Sequence, residues 1–180
     1  MASTSVDPRD QIWVACYNTL YEAMYAETIA DKLINRWQKV DETVKVLVAL
    51  TASGSTLSGF ASRAKPEFQT LWLTISTIAA TLAIIHSALG VAERIKDRAE
   101  VKRRFVSLRT DLETFRYQMR INPEFEVADF GGRLLQYRKR YGDTVQLVKN
   151  DIILTSKLAR KAQAEVNQRL ADEMEQEKKA

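Results

Sequence analysis

Few side chains in this sequence suit covalent or metal chemistry. His86 is the only histidine and Cys16 the only cysteine. A Cys/His metal cage and an internal disulfide framework are thereby excluded, and a histidine-based triad has one candidate. His86 lies in an apolar run four residues before Gly90, where no nucleophile or carboxylate is expected at matching depth. An ionisable group inside such a run is a functional hypothesis in itself. Both a proton relay and a neutral, locally bonded imidazole are open. No P-loop and no GxGxxG after a strand occurs, and "DFGG" (Asp129–Gly132) lacks the surrounding kinase features and reads as a loop. No catalytic residue, metal ligand or cofactor is expected, and the chain does not read as an enzyme.

The hydroxyls are more suggestive. Thr51, Ser55, Ser58 and Ser62 recur at spacings of four, three and four, and Thr70, Thr74, Thr77 and Thr81 repeat that spacing. On helices each set forms one stripe. Such a stripe can bond back to its own carbonyls, seal a helix–helix contact, or line a water-filled path when several copies assemble. Gly54, Gly59 and a small-residue stripe of Ser76, Ala80, Ala83, Ser87 and Gly90 suit close helix packing. Leu71, Ile75, Ile78, Leu82, Ile85 and Leu89 form a bulky stripe for lipid.

The elements that carry these stripes are two charge-free segments. Val46–Ser62 and Phe68–Ala92 contain no Asp, Glu, Lys or Arg. A bilayer core of about 30 Å needs roughly 20 apolar residues as a helix, and each charge at its centre costs about 2.5–3.5 kcal/mol. The two segments therefore read as a transmembrane hairpin. Six glycines and three prolines in 180 residues leave little punctuation, so the fold class is all-α.

The first helix is capped by Asp7 or Asp10, with Pro8 in its first turn. Its seam is Ile12, Cys16, Thr19, Ala23, Ala26, Ala30, Leu33, Trp37, Val40 and Val44. The helix runs on into the first span and stops at "RAKPE" (Arg63–Glu67). Nothing stops the second helix after Ala92, where a seam of Phe105, Leu108, Leu112, Phe115 and Met119 leads to "INPEF". A turn near residue 65 places Phe105 beside Tyr25 and Leu112 beside Asn18. After a loop holding Gly131 and Gly132, one further helix carries Tyr141, Val145, Val148, Ile152, Thr155, Ala159, Ala162 and Val166, and "DEMEQEKKA" frays. The layout is one domain, 1–180. It comprises a cytoplasmic N-terminal helix (10–45), two spans (46–62 and 68–92), a cytoplasmic extension (93–120) and a C-terminal amphipathic helix (133–176).

Charge placement orients the hairpin. The turn carries only Arg63 and Lys65, whereas Lys32, Arg36, Lys39 and Lys45 precede the first span and a basic run follows the second. Lys and Arg gather on cytoplasmic flanks, so both termini are expected in the cytoplasm. Lys45, Arg94, Lys96, Arg98, Lys102, Arg103 and Arg104 are the candidate contacts to anionic headgroups. Glu93, Asp97 and Glu100 interrupt the run, so nucleic acid is not an expected partner. "MASTSVDPRDQ" shows no basic start before an apolar core, so no cleavable signal is expected. Trp72 and Trp37 are candidate interface anchors, and for Trp37, which is also on the first seam, packing is the favoured reading.

"GVAERIKDRAEVKRRFVSLRTDLETF" (Gly90–Phe115) and "YEAMYAETIADKLINRWQK" (Tyr21–Lys39) resemble the SLATT family of bacterial two-transmembrane proteins. The likeness covers about residues 10–150. It lies in the Glu-Arg step that ends the second span and in the pattern of Phe105, Leu108 and Leu112. Where many members carry a histidine after that step, this chain has Asp97 and Arg98, and no such role transfers. The resemblance implies an inner-membrane effector of anti-phage or inter-strain conflict systems. Such a protein would oligomerise and breach the membrane once a nucleotide-sensing or nucleotide-synthesising partner detects infection. A passive alternative is a membrane-anchored helical scaffold that docks a cytoplasmic partner.

Overall fold

The computed structural model describes the backbone of residues 7–61 and 66–179; residues 1–6, 62–65 and 180, and the side chains at 51–61, 66–69, 71–72 and 177–178, lie outside the description. The chain is all-helical: α1 (Pro8–Ala61), α2 (Pro66–Ala88), α3 (Val91–Ile121), α4 (Val127–Lys149) and α5 (Ser156–Lys179). It divides into two compact units, one of Met1–Leu33 with Arg98–Ala180 and one of Ile34–Asp97.

Of the two candidate caps for α1, Asp7 takes the role. Its carboxylate accepts the Arg9 amide at 2.9 Å, its carbonyl accepts the Gln11 amide, and Pro8 fills the first helical position. The expected seam is buried from Ile12 to Trp37, and Leu20, Met24 and Ile29 widen it into a second stripe. Val40, expected on the seam, is exposed.

The first unit is a helical bundle built on a size complementarity. Cys16, Ala23, Ala26 and Ala30 give α1 a shallow face, and Phe105, Leu108, Leu112, Phe115 and Met119 give α3 a tall one; all are buried. Cys16 Sγ lies 4.0 Å from the Leu112 carbonyl, two residues from the expected pairing of Leu112 with Asn18. Outside the core, Lys102 pairs with Asp31 at 2.6 Å and Arg109 with Glu27 at 2.8 Å, in keeping with the antiparallel register of α1 and α3. Lys32–Glu165 and the Tyr21 hydroxyl on Asn167 bind α5 to α1.

Three expectations about helix continuity fail. The helix expected to run through Ala92 ends at Ala88, because Gly90 adopts a left-handed φ of 58°, which side chains resist and glycine accepts. α4 starts at Val127, so Gly131 and Gly132 are helical and not a loop. Two helical glycines cost about 1 kcal/mol each. Against that, Phe130 stacks on Phe115 and Phe125 at centroid distances of 5.1 and 4.5 Å, and Arg133 covers both the Phe115 and Phe130 rings.

The single C-terminal helix is in fact two. Asp151 turns its carboxylate inward, accepts the Ile153 amide at 3.0 Å, and takes Arg98 Nε at 2.7 Å. Thr155 then caps α5 by accepting the Leu158 amide. Ile152 and Thr155, assigned to the seam, are exposed in this turn, and the buried stripe of α5 is Leu158, Ala162, Val166 and Leu170. The terminal segment expected to fray stays helical to Lys179.

The Asp151 side chain is fully buried and that of Arg98 is 12% exposed, and Arg98 also donates to the Leu147 carbonyl. Removing one member of such a pair strands the other without compensation, at about 3–5 kcal/mol. Asp151→Ala is therefore expected to lower unfolding stability by that amount, read by circular dichroism during denaturation in detergent. Arg103→Ala, on an exposed pair with Glu100, should change it by no more than about 1 kcal/mol.

Candidate functional site

Among its described residues, the second unit holds a polar cluster that sequence reasoning missed. His86 Nε2 lies 2.9 Å from Asp41 Oδ1, and Lys45 Nζ lies 2.6 Å from Asp41 Oδ2. Both His86 and Asp41 are largely buried, with side chains 20% and 15% exposed. A carboxylate does therefore stand at the depth of His86, contrary to expectation. The signal was available in the antiparallel register, since a turn near residue 65 puts position 86 within one helical turn of Asp41. Lys45, through its hydrogen bond, holds the Asp41 carboxyl below its ordinary value of 3.8; some desolvation opposes this and the His86 bond reinforces it. The carboxylate is thus charged above that range, and its bond to Lys45 is lost as pH falls through the lowered value.

Just beyond this cluster the chain bends. Gly90 donates its amide to Ser87 and accepts the Arg94 amide at 3.0 Å, while the Leu89 carbonyl is taken by Arg94 Nε at 2.9 Å. The same guanidinium lies 5.4 Å over the Trp37 ring. Trp37 is buried, and so is Val91, the first residue of α3.

The candidate headgroup contacts divide accordingly. Arg94 is held by Leu89 and Trp37, Lys45 by Asp41, Lys102 by Asp31, and Arg98 by Asp151. Arg103 and Arg104 share Glu100. Lys96 is exposed.

On α2 the threonine stripe is exposed at all four positions. Thr74, Thr77 and Thr81 each donate to the carbonyl four residues earlier, at 2.8–2.9 Å. The small-residue stripe splits. Ser76, Ala83 and Gly90 are half-buried, whereas Ala80 and Ser87 are exposed and Ala79 is buried. The inward face is Ser76, Ala79, Ala83 and His86. Thr51, Gly54, Ser55, Ser58, Gly59 and Trp72 lie among the residues whose side chains are outside the description, and Ser62 lies outside it altogether.

Other sites carry less chemistry. Burial pushes the Cys16 thiol up to about 11 despite Arg116, so it is a packing residue and no nucleophile. Among the described residues no three His, Cys, Asp or Glu side chains come together to hold a metal. An open cleft of about 560 Å³ in the first unit is lined by Arg103, Arg104, Ser107, Arg140, Asp143 and Thr144. Its cations are paired, Arg103 and Arg104 with Glu100 and Arg140 with Asp111 at 2.7 Å, and Asp143 stands in the same lining.

No known protein family, curated protein or solved structure matches the chain.

The different placement of Lys96 and Arg98 is testable with vesicles containing anionic lipid. Lys96→Gln should weaken salt-sensitive binding about fivefold, the equivalent of about 1 kcal/mol per surface cation. Arg98→Gln should instead lower the unfolding temperature, because its partner Asp151 is buried.

Proposed function

We propose that the chain is a two-span membrane effector of a bacterial defence system, resembling the SLATT family, that self-associates and permeabilises the inner membrane when a cytoplasmic partner triggers it. The observation that carries this reading is the exposure of bulky apolar side chains on the charge-free segments. Leu73 and Ile84 are 72% and 71% exposed, and Val46, Leu50, Ile78 and Ile85 are also exposed. Apolar surface of this kind marks a membrane or an assembly contact.

Length supports the reading for α2. Its 23 residues rise about 34 Å at roughly 1.5 Å per residue, enough for a hydrocarbon core of about 30 Å. Among the described residues no single helix is long and apolar enough to cross a membrane. Leu73–Ala88 and Val91–Ile121 meet that requirement only together, bent by 43° at the break between them. In the proposal, Val46–Ser62 supplies the first span and both termini face the cytoplasm. The partner would be a nucleotide-sensing or nucleotide-synthesising protein of the same system. The threonine stripe would face a shared axis in the assembled state.

A second reading is a membrane-anchored scaffold that docks a cytoplasmic partner. It is favoured by the threonine hydroxyls, which are already satisfied by their own helix.

Dye release from vesicles separates the two. The full chain, inserted and resistant to alkaline carbonate, should release dye, and replacing Thr51, Ser55 and Ser58 together with leucine should abolish release without preventing insertion. Insertion and oligomerisation with no release, with or without the partner, would sink the pore and leave the scaffold.

A further inference from the structure

The Leu89–Gly90 break is held by two contacts to α1, one on each side. Three residues before Leu89, His86 bonds to Asp41. Four residues after Gly90, Arg94 lies over Trp37 and caps the Leu89 carbonyl. Between them only Leu89 and Gly90 are non-helical, and Gly90 is the one residue with positive φ among those described. Hinges are built from a few element-terminal residues that absorb a change in φ and ψ, and this break has that form.

The two contacts differ in kind. The arginine contact keeps its charge at any physiological pH. The histidine contact does not, because imidazole is the side chain that ordinarily changes charge between about pH 5 and 8. An ionised carboxylate only accepts, so neutral His86 meets Asp41 only in the tautomer that carries its proton on Nε2. Protonated His86 donates from both nitrogens and makes a charge-assisted bond, roughly twice as strong as a neutral one. The charged group recorded against the pair is Lys45 on α1, and Arg94 in the first turn of α3 is the cation on the other side of the break. Lys45 is bound to the other Asp41 oxygen, and Arg94 is engaged at Leu89 and Trp37.

We infer that the Gly90 break is a proton-sensitive hinge, with His86 as the proton-binding group and Asp41 as its catch. Protonation closes the catch between α1 and α2, and loss of the proton releases it. Resting on the membrane-hairpin reading, this supplies a regulation of that hairpin, in which acid holds it closed and neutral pH permits rearrangement.

The test uses the full chain in detergent, with spin labels at Thr43→Cys and Ser87→Cys in a Cys16→Ala background, both labelled positions being exposed. At about pH 5.5 one interhelical distance population is expected, and at about pH 8 a second, longer one should appear. His86→Gln and Asp41→Asn should lose this pH dependence, and His86→Arg, permanently charged, should show the short population alone at both values. A wild-type distance unchanged between the two values, or a pH response that survives His86→Gln, would overturn the hinge. Membrane insertion is scored separately by carbonate-resistant sedimentation. A hinge that responds to pH in a chain that never inserts would refute the hairpin reading and leave the hinge standing.

Discussion

The larger unit depends on a mismatch of side-chain size. α1 presents cysteine and alanines where α3 presents phenylalanines, leucines and a methionine. A small face lets the two backbones approach while the large one fills the space between them, which is how interiors reach close packing without voids. The match is directional, since sliding α3 by one turn would set Phe115 or Phe105 against a different row of α1. The ion pairs of Asp31 with Lys102 and Glu27 with Arg109 are consequences of that register and add little by themselves. α4 and α5 then close the remaining sides, with Phe105 against Tyr141 and Phe115 against Tyr137 at 6.1 and 5.5 Å.

The smaller unit is organised differently. Its described core is slight, with Trp37, Ala79 and Val91 the buried apolar residues. What it has in place of a broad core is a row of specific contacts across the hairpin: a ring under a guanidinium and an imidazole against a carboxylate. Contacts of this type hold a geometry with few partners, and their strength varies with protonation and solvent in a way that packed methyl groups do not. A unit so built is suited to changing state, whereas the aromatic core of the larger unit is suited to keeping one.

Periodicity made much of this legible in advance. The α1 seam from Ile12 to Trp37 and the α3 seam from Phe105 to Met119 follow from the 3-4 spacing of apolar residues, and both are buried. The pairing of those seams could be placed within two residues from the position of one turn. The breaks were not legible by the same means. Gly90, in a sequence with few glycines, looked like a packing residue because it continued a stripe of small side chains. The Asp151 turn hid behind apolar neighbours that kept helical spacing across it, although Asn150, Asp151 and Thr155 are residues that bond to local backbone. Gly131 and Gly132 misled in the other direction, since three aromatic rings and an arginine decide that segment. In each case a tertiary contact outweighed a local preference. The partner of His86 could be reached from the turn near residue 65 and the antiparallel register together, whereas stripes on a single helix do not contain it.

The threonines of α2 have a consequence for where that helix can live. A hydroxyl moved from water into hydrocarbon without a partner costs several kcal/mol. Thr74, Thr77 and Thr81 carry their partners with them, one turn back on the same helix, whatever surrounds them. Their oxygens still have a lone pair to offer to water. The face is therefore nearly indifferent between an oily neighbour and a wet one. A helix with such a face can turn it from one medium to the other without first breaking a bond.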